Sequence, residues 1–256
     1  MKSALIGYTG LVGSNISQKH NFDSFYNSTN IEEISTDSFE LIVCAGAPGA
    51  KWIANKEPAE DWRSINRLIS CLRKTRTSKF VLISTIDVYP SVNEVDESSP
   101  IVTSENQPYG RHRQLLEQFA SETFDTCIMR LPGVFGPGLK KNPIFDLYQN
   151  NGAFINPSAI MQFYYLEHIW KDMACALQHN LNLVNIASEP LTIGEIASSV
   201  FDMALESRQG HHASQSYDMQ TKFAVYWGRH GRYLYSKDDV ISDLKAFVGK
   251  GGPTGR

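Results

Sequence analysis

The amino-acid sequence predicts an α/β fold: a doubly wound parallel sheet with a small C-terminal lobe. Three features carry that expectation. Apolar runs of strand length recur at Lys2–Ile6, Phe39–Ala45, Lys79–Thr85, Thr126–Leu131 and Leu183–Ala187. They are continuous rather than alternating, as in strands buried on both faces of a parallel sheet. Helical patterns lie between them, with Ala59–Lys74 and the stretch from Pro108 onward prominent. A turn with three glycines, Gly7-Tyr8-Thr9-Gly10-Leu11-Val12-Gly13, joins the first strand to the first helix.

The elements follow in order. The first helix runs from Gly10 to about His20, and a short second strand covers Phe22–Tyr26. Too few residues separate that strand from Phe39–Ala45 for a full helical crossover, so the second unit is abbreviated. Ala45-Gly46-Ala47-Pro48-Gly49 closes the third strand with small side chains. The helix Ala59–Lys74 places Trp62, Ile65, Asn66, Ile69 and Leu72 on one stripe, and Asn66 is polar among apolar neighbours. The fourth strand ends in Ser84-Thr85, and the polar segment Ser91–Gln107 is an exposed loop of functional length. Pro108 opens a helix with Tyr109, Arg113 and Glu117 at i, i+4 and i+8. The fifth strand runs into the turn-rich Pro132–Gly138. Beyond it lie a short helix at Pro143–Asn150, an aromatic strand at Gln162–Leu166 and a helix at Glu167–His179. Thr192 and Glu195 form a capping box, and Ser236 caps a closing helix to Val248. Ser207–Gln220 reads as loop, Phe223–Tyr235 as an aromatic and basic run, and the glycine-rich Gly249–Arg256 as a frayed end.

Composition narrows the function classes. A formal net charge of −3 over 256 residues gives no field that attracts nucleic acid or an anionic membrane. No apolar run approaches the roughly 20 residues that span a bilayer. The chain enters a strand at once, so no signal peptide is expected. Cys44, Cys71, Cys127 and Cys175 are scattered without a C-x-x-C pair and read as reduced thiols of a cytoplasmic protein. The histidines show no ligand spacing, so no metal site is expected, and the adjacent His211-His212 falls in a polar stretch.

The glycine turn carries the first chemical signal. Strand, glycine turn, helix is the setting of a dinucleotide fingerprint. Gly7 lets the chain turn sharply out of the strand, Gly10 leaves room for a pyrophosphate, and Gly13 lets the helix pack close. The helix N-terminus offers free N–H groups to phosphate. Taken alone, the stretch is also compatible with an ordinary turn. The second strand ends at Asn27-Ser28-Thr29-Asn30, neither the acid that binds a ribose 2′-hydroxyl nor a base for a 2′-phosphate. NAD and NADP are both left open. Glu32 and Glu33 read as solvent-facing.

The ordered set of motifs says more than any one of them. The glycine turn, Ala45-Gly46-Ala47, the Asn66 helix, Ser84-Thr85-Ile86-Asp87-Val88-Tyr89, Pro108-Tyr109-Gly110-Arg111-His112-Arg113, Arg130 to Gly138 and Val184-Asn185-Ile186-Ala187 together resemble the extended short-chain dehydrogenase/reductases. These are NAD(P)-dependent epimerases and dehydratases acting mostly on nucleotide sugars. The resemblance covers roughly residues 1 to 200 and implies a Rossmann-type domain over 1–190, with 136–159 contributing to the substrate side, and a substrate lobe over 191–256. It implies Thr85 as the substrate-oxygen donor and Tyr109 as the acid/base. Cofactor contacts are implied at Gly7, Thr9, Gly10, Leu11, Val12, Gly13, Asn27, Ala45, Gly46, Ala47, Asn66, Tyr109, Arg113, Pro132 and Val134. The family lysine should stand four residues after the tyrosine, where this chain has Arg113.

A tyrosine ionises near ~10, so acting as a base near neutrality needs a shift of about 3 units. A cation one helical turn away favours the phenolate. Arginine keeps the charge but is a planar fork that does not give up its proton. Arg113 either substitutes for the lysine or pairs with Glu117 one turn on. The resemblance thus implies hydride transfer on a sugar nucleotide or related hydroxyl or keto substrate, with a homodimer possible. The alternative is a non-catalytic NAD(P)-binding sensor or assembly protein. The run Phe223–Tyr233 either stacks a base and binds phosphate or packs on the core.

Overall fold

The computed structural model describes residues 2–152, 155–206 and 216–254. Two compact units divide the chain: Met1–Ser91, Ser98–Leu131 and Ile169–Asn185 form one, and Val92–Glu97, Pro132–His168 and Ile186–Arg256 the other.

The first unit begins with β1 (Ser3–Ile6), α1 (Leu11–Ser17) and β2 (Ser24–Tyr26). A single 3-10 turn, Ile31–Thr36, leads to β3 (Ser38–Cys44), which confirms the abbreviated second unit. Next come α2 (Lys51–Lys56), α3 (Pro58–Leu72), β4 (Arg76–Thr85), α4 (Pro108–Thr123) and β5 (Thr126–Leu131). The second unit contributes β6 (Gly133–Phe135), α5 (Pro143–Tyr148), β7 (Ile160–Met161) and β8 (Phe163–Tyr165). The chain then returns to the first unit for α6 (Ile169–Gln178) and β9 (Leu183–Asn185), and ends in the second with β10 (Leu191–Thr192), α7 (Ile193–Phe201) and α8 (Lys237–Gly249).

The sheet of the first unit has the order β2-β1-β3-β4-β5-β9, and every pair is parallel. This is the doubly wound architecture expected. The order reverses between β1 and β3, the switch point outside which such sheets bind ligands. Side chains alternate between two buried faces. Ala4, Ile6, Ile42, Cys44, Phe80, Leu82 and Ile128 pack with Ile65 and Leu72 of α3 and Leu116 and Phe119 of α4. Their neighbours Leu5, Val43, Val81, Cys127 and Met129 are equally buried on the opposite face, where α1 meets α6.

In the second unit β6 runs parallel to β8, and β7 antiparallel to β10. Phe135 stacks on Tyr165 at 4.9 Å, and Phe247 of α8 closes on both rings. The capping boxes at Thr192/Glu195 and Ser236/Asp239 are both formed. The glycine-rich end corrects one expectation. Gly252 and Pro253 are buried, Tyr148 donates to Gly251 O (3.1 Å) and Gly138 N to Pro253 O (2.9 Å). Gly252 has φ +58°, and a Cβ there would overlap the Tyr148 ring. The glycines buy a close turn rather than fraying. Phe223–Tyr235 is a 3-10 turn at Ala224–Trp227 with flanking loop. His211-His212 lies outside the described residues.

Candidate active site

The glycine turn is built by the backbone itself. Gly7 has φ +84°, a conformation other residues rarely adopt, and a Cβ on it would overlap the Ala45 carbonyl at the end of β3. A Cβ on Gly13 would overlap the Gly7 carbonyl. These two glycines therefore press α1, the turn and the β3 end together, as their spacing predicts. Gly10 differs: a Cβ there would meet only Gly7 O at 3.4 Å, an ordinary contact. The protein's own packing does not require glycine at 10.

Around this turn Thr9 is exposed, Leu11 and Val12 are half-buried, and Ala45, Gly46 and Ala47 line the end of β3. Asn27 follows β2 and its amide donates to Tyr8 Oη of the turn (3.3 Å). Its Oδ1 accepts from the amide and the hydroxyl of Thr29 (2.8 and 2.7 Å). Glu32 is exposed and pairs with Arg67 of α3. Pro132 and Val134 belong to the second unit.

A second cluster forms at the end of β4. Thr85 Oγ1 accepts from the Asp87 amide (3.2 Å), and the Thr85 hydroxyl favours the charged form of the Tyr109 phenol. Tyr109 lies in the first turn of α4, which sits tight on the 85–88 turn: a Cβ on Gly110 would overlap Asp87 O. Asn106 Nδ2 donates to Asp87 O and Val88 O (3.1 and 2.7 Å). From the other side, Asn55 Oδ1 of α2 accepts from the Tyr109 amide (2.9 Å). One turn earlier on the same helix face, Lys51 Nζ donates to Asp87 Oδ1 (2.6 Å).

Arg113 lies 3 % exposed beneath this cluster, and of the two roles open to it the pairing with Glu117 is not formed. Its fork grips Asp61 of α3, Nη1 to Oδ2 at 2.5 Å and Nη2 to Oδ1 at 2.8 Å. It also donates to Tyr109 O (3.1 Å) and Pro48 O (2.5 Å). Its Cζ stands 4.0 Å from the Tyr109 ring centroid. Its Nε is buried without an acceptor among the described residues. His112 Nδ1 donates to the same Asp61 carboxylate (2.7 Å). Burial works against the Asp61 charge, but the hydrogen bonds from Arg113 and His112 outweigh it and hold Asp61 below the ordinary carboxylate range.

Glu117, the other candidate partner, is engaged elsewhere. Arg130 of β5 donates to it through Nε (3.0 Å) and Nη2 (2.6 Å), and Ser84 through its hydroxyl (2.5 Å). Arg130 Nη1 and Asn185 Nδ2 both donate to Tyr89 Oη (2.8 and 2.9 Å).

Two further expectations are corrected. Asn66 is exposed on the outer side of α3. The buried residues of α3 are Asp61, Ile65, Leu68, Ile69, Cys71 and Leu72; Ile65, Ile69 and Leu72 are as expected, and Asp61 and Leu68 take the places given to Trp62 and Asn66. The Tyr109 ionisation moves upward, not downward. Burial dominates and favours the neutral phenol, while Arg113, Lys51 and Thr85 pull only partly the other way and Asp87 adds to the rise. Sequence reading missed Lys51, Asn55, Asp61 and Asn106. The i, i+4 spacing of Lys51 and Asn55 was the one available signal.

Comparison with known proteins gives the family and the fold. The profile of the NAD dependent epimerase/dehydratase family matches residues 19–156, more than half of the chain. No curated protein matches it. Among solved structures, the Bordetella bronchiseptica enzyme WbmG in complex with NAD superposes with a TM-score of 0.75 at 16% identity, over 99% of this chain and 96% of that one. UDP-glucose 4-epimerase from Thermotoga maritima, with UDP-glucose, gives 0.71 at 17% identity, over 97% and 98%. The dTDP-4-dehydrorhamnose reductase from Bacillus anthracis, in complex with NADP, gives 0.72 at 16% identity, over 97% and 98%. At these identities the superpositions establish the fold, and the profile match establishes the rest: the chain belongs to the NAD-dependent epimerase/dehydratase family.

Proposed function

We propose that the protein is an NAD(P)-dependent enzyme of the epimerase, dehydratase or reductase type, acting on a sugar nucleotide or a related hydroxyl or keto compound. The observation that carries this is the packing of Tyr109, in the first turn of α4, against the turn that follows Thr85 at the carboxyl end of β4, with β3 between β4 and the strand that leads into the glycine turn.

The residues present fit a dinucleotide. Gly7 and Gly13 fix a narrow turn, and Gly10 keeps the space beside it free of side chain. The unmet donor at Arg113 Nε suits a ribose hydroxyl. Gly7, Thr9, Gly10, Leu11, Val12 and Gly13 would hold the pyrophosphate side, Asn27 the adenosine ribose, and Ala45, Gly46, Ala47, Tyr109 and Arg113 the nicotinamide side. When bound, the nicotinamide supplies the hydride donor or acceptor.

The chain's own groups manage the proton. Tyr109 rests as a neutral phenol because burial disfavours its charge, so in this state it is a proton donor to a substrate oxygen. Thr85, whose Oγ1 takes the Asp87 amide, would fix that oxygen beside the phenol. Arg113 orients the Tyr109 ring through the face contact and the Tyr109 carbonyl. Being permanently charged and tied to Asp61, it does not relay protons.

The tie between Arg113 and Asp61 also favours a second reading, a protein that binds NAD(P) without turnover. Titration calorimetry with NAD, NADH, NADP and NADPH, on wild type and Arg113→Lys, tests the binding common to both. Tight binding of one cofactor that changes with Arg113→Lys supports the assignment; no binding to either protein defeats it. Turnover that survives Tyr109→Phe on an identified substrate removes Tyr109 from its role.

A further inference from the structure

We propose that Lys51 presents the working ammonium to the Thr85–Tyr109 pair, in the place Arg113 cannot fill, and that Asp87 holds it there. The proposal deepens the reading of Tyr109 as the acid/base and rests on it.

The argument starts from what Arg113 is prevented from doing. Both its terminal nitrogens are occupied, by the Asp61 carboxylate and by the carbonyls of Tyr109 and Pro48. Its charge faces the flat of the Tyr109 ring, and it is balanced by Asp61 directly behind. A rigid fork held at four points cannot follow the phenol oxygen.

Lys51 has the complementary properties. Its ammonium is a compact charge on a flexible stem, and its side chain is 38% exposed where that of Arg113 is 3%. It is also aimed. The amide carbonyl of Asn55, one turn along α2, fixes that helix to the Tyr109 amide, and Lys51 itself reaches Asp87. Asp87 in turn is joined through its amide to Thr85 Oγ1, and Thr85, Asp87 and Lys51 all act on the Tyr109 phenol. The chain of contacts that reaches Tyr109 from α2 therefore runs through Lys51, Asp87 and the turn after β4, and it is separate from the tether of Arg113 to α3. When Tyr109 gives its proton to a substrate oxygen, its O–H bond breaks and the substrate O–H forms. The phenolate left behind then draws the ammonium from Asp87.

The charged groups around Tyr109 are Arg113 from α4 with Asp61 of α3 behind it, Asp87 from the turn after β4, and Lys51 from α2. The Lys51 charge favours the phenolate and the Asp87 charge opposes it, which sets opposite signs for the test. Tyr109 is replaced by 3,5-difluorotyrosine, whose phenol ionises well below that of tyrosine. Its titration is then followed by fluorine NMR in the protein without cofactor or substrate. Lys51→Met is expected to weaken the ionisation about tenfold, Lys51→Arg to restore most of it, and Asp87→Asn to strengthen it. A Lys51→Met titration within twofold of the parent overturns the proposal. So does an Asp87→Asn protein whose phenol ionises no more readily, a result that stands even if Lys51→Met does not fold. Because no cofactor or turnover enters, failure here is distinct from failure of the enzyme assignment, which the calorimetry reads.

Discussion

Two buried ion pairs stand one helical turn apart on α4, and they are finished differently. Glu117 and Arg130 form a closed network. Every nitrogen of Arg130 has an acceptor, Glu117 also takes Ser84, and Tyr89 with Asn185 completes the chain. Asp61 and Arg113 form an open one, with Arg113 Nε buried and unmet among the described residues. A closed pair ties β4, α4, β5 and β9 together and has nothing left to offer a ligand. An open pair beside Tyr109 does. The difference separates a structural device from a candidate functional one, although by composition and burial they look alike.

Glu117→Gln is the strongest way to break the contrast. It leaves Arg130, 5% exposed, without a counter-charge, and removal of one partner of such a pair costs about 3–5 kcal/mol. The melting temperature, followed by circular dichroism, should fall by roughly 10 °C. A fall no larger than that of Asp61→Asn would erase the distinction. Asp61→Asn should cost less, about 2–3 kcal/mol, because Arg113 keeps the Tyr109 and Pro48 carbonyls. Tyr89→Phe should cost about 1–2 kcal/mol, since Arg130 and Asn185 lose a shared acceptor, and it should leave cofactor affinity unchanged.

The smallest effect is in pH. Asp61 is held below its ordinary 3.8, so its contribution to stability is complete above that value and lost as the pH falls through the lower folded-state value. The melting temperature of Asp61→Asn should therefore decline less steeply than wild type below about pH 4. Parallel acid slopes would show that Asp61 carries no such contribution.

Much of the fold was legible because its signals are local. Each buried strand is a contiguous apolar run, and the Thr192 and Ser236 caps are decided within three residues. The glycine turn was legible for the same reason. The candidate site was legible as far as Thr85 and Tyr109, which stand in motifs. Its partners were not, since Asp61 lies 52 positions from Arg113 and Lys51 lies 36 from Asp87. With only spacing in view, pairing with Glu117 was one of the two roles open to Arg113, because helical neighbours are four apart. Long-range pairing overrode that rule. The reading of Asn66 has a similar root. Asp61 is a charged residue on the buried face of α3, and an apolar pattern alone does not place it there.

The grip of Asp61 on Arg113 also bears on what position 113 tolerates. Lysine at 113 would exchange a fork for a point charge. Asp61 would then lose one of the two bonds it takes from the fork, keeping the one from His112, and the Pro48 carbonyl would lose its donor. The cost of an exchange on α4 is therefore set in part by a residue on α3, 52 positions away.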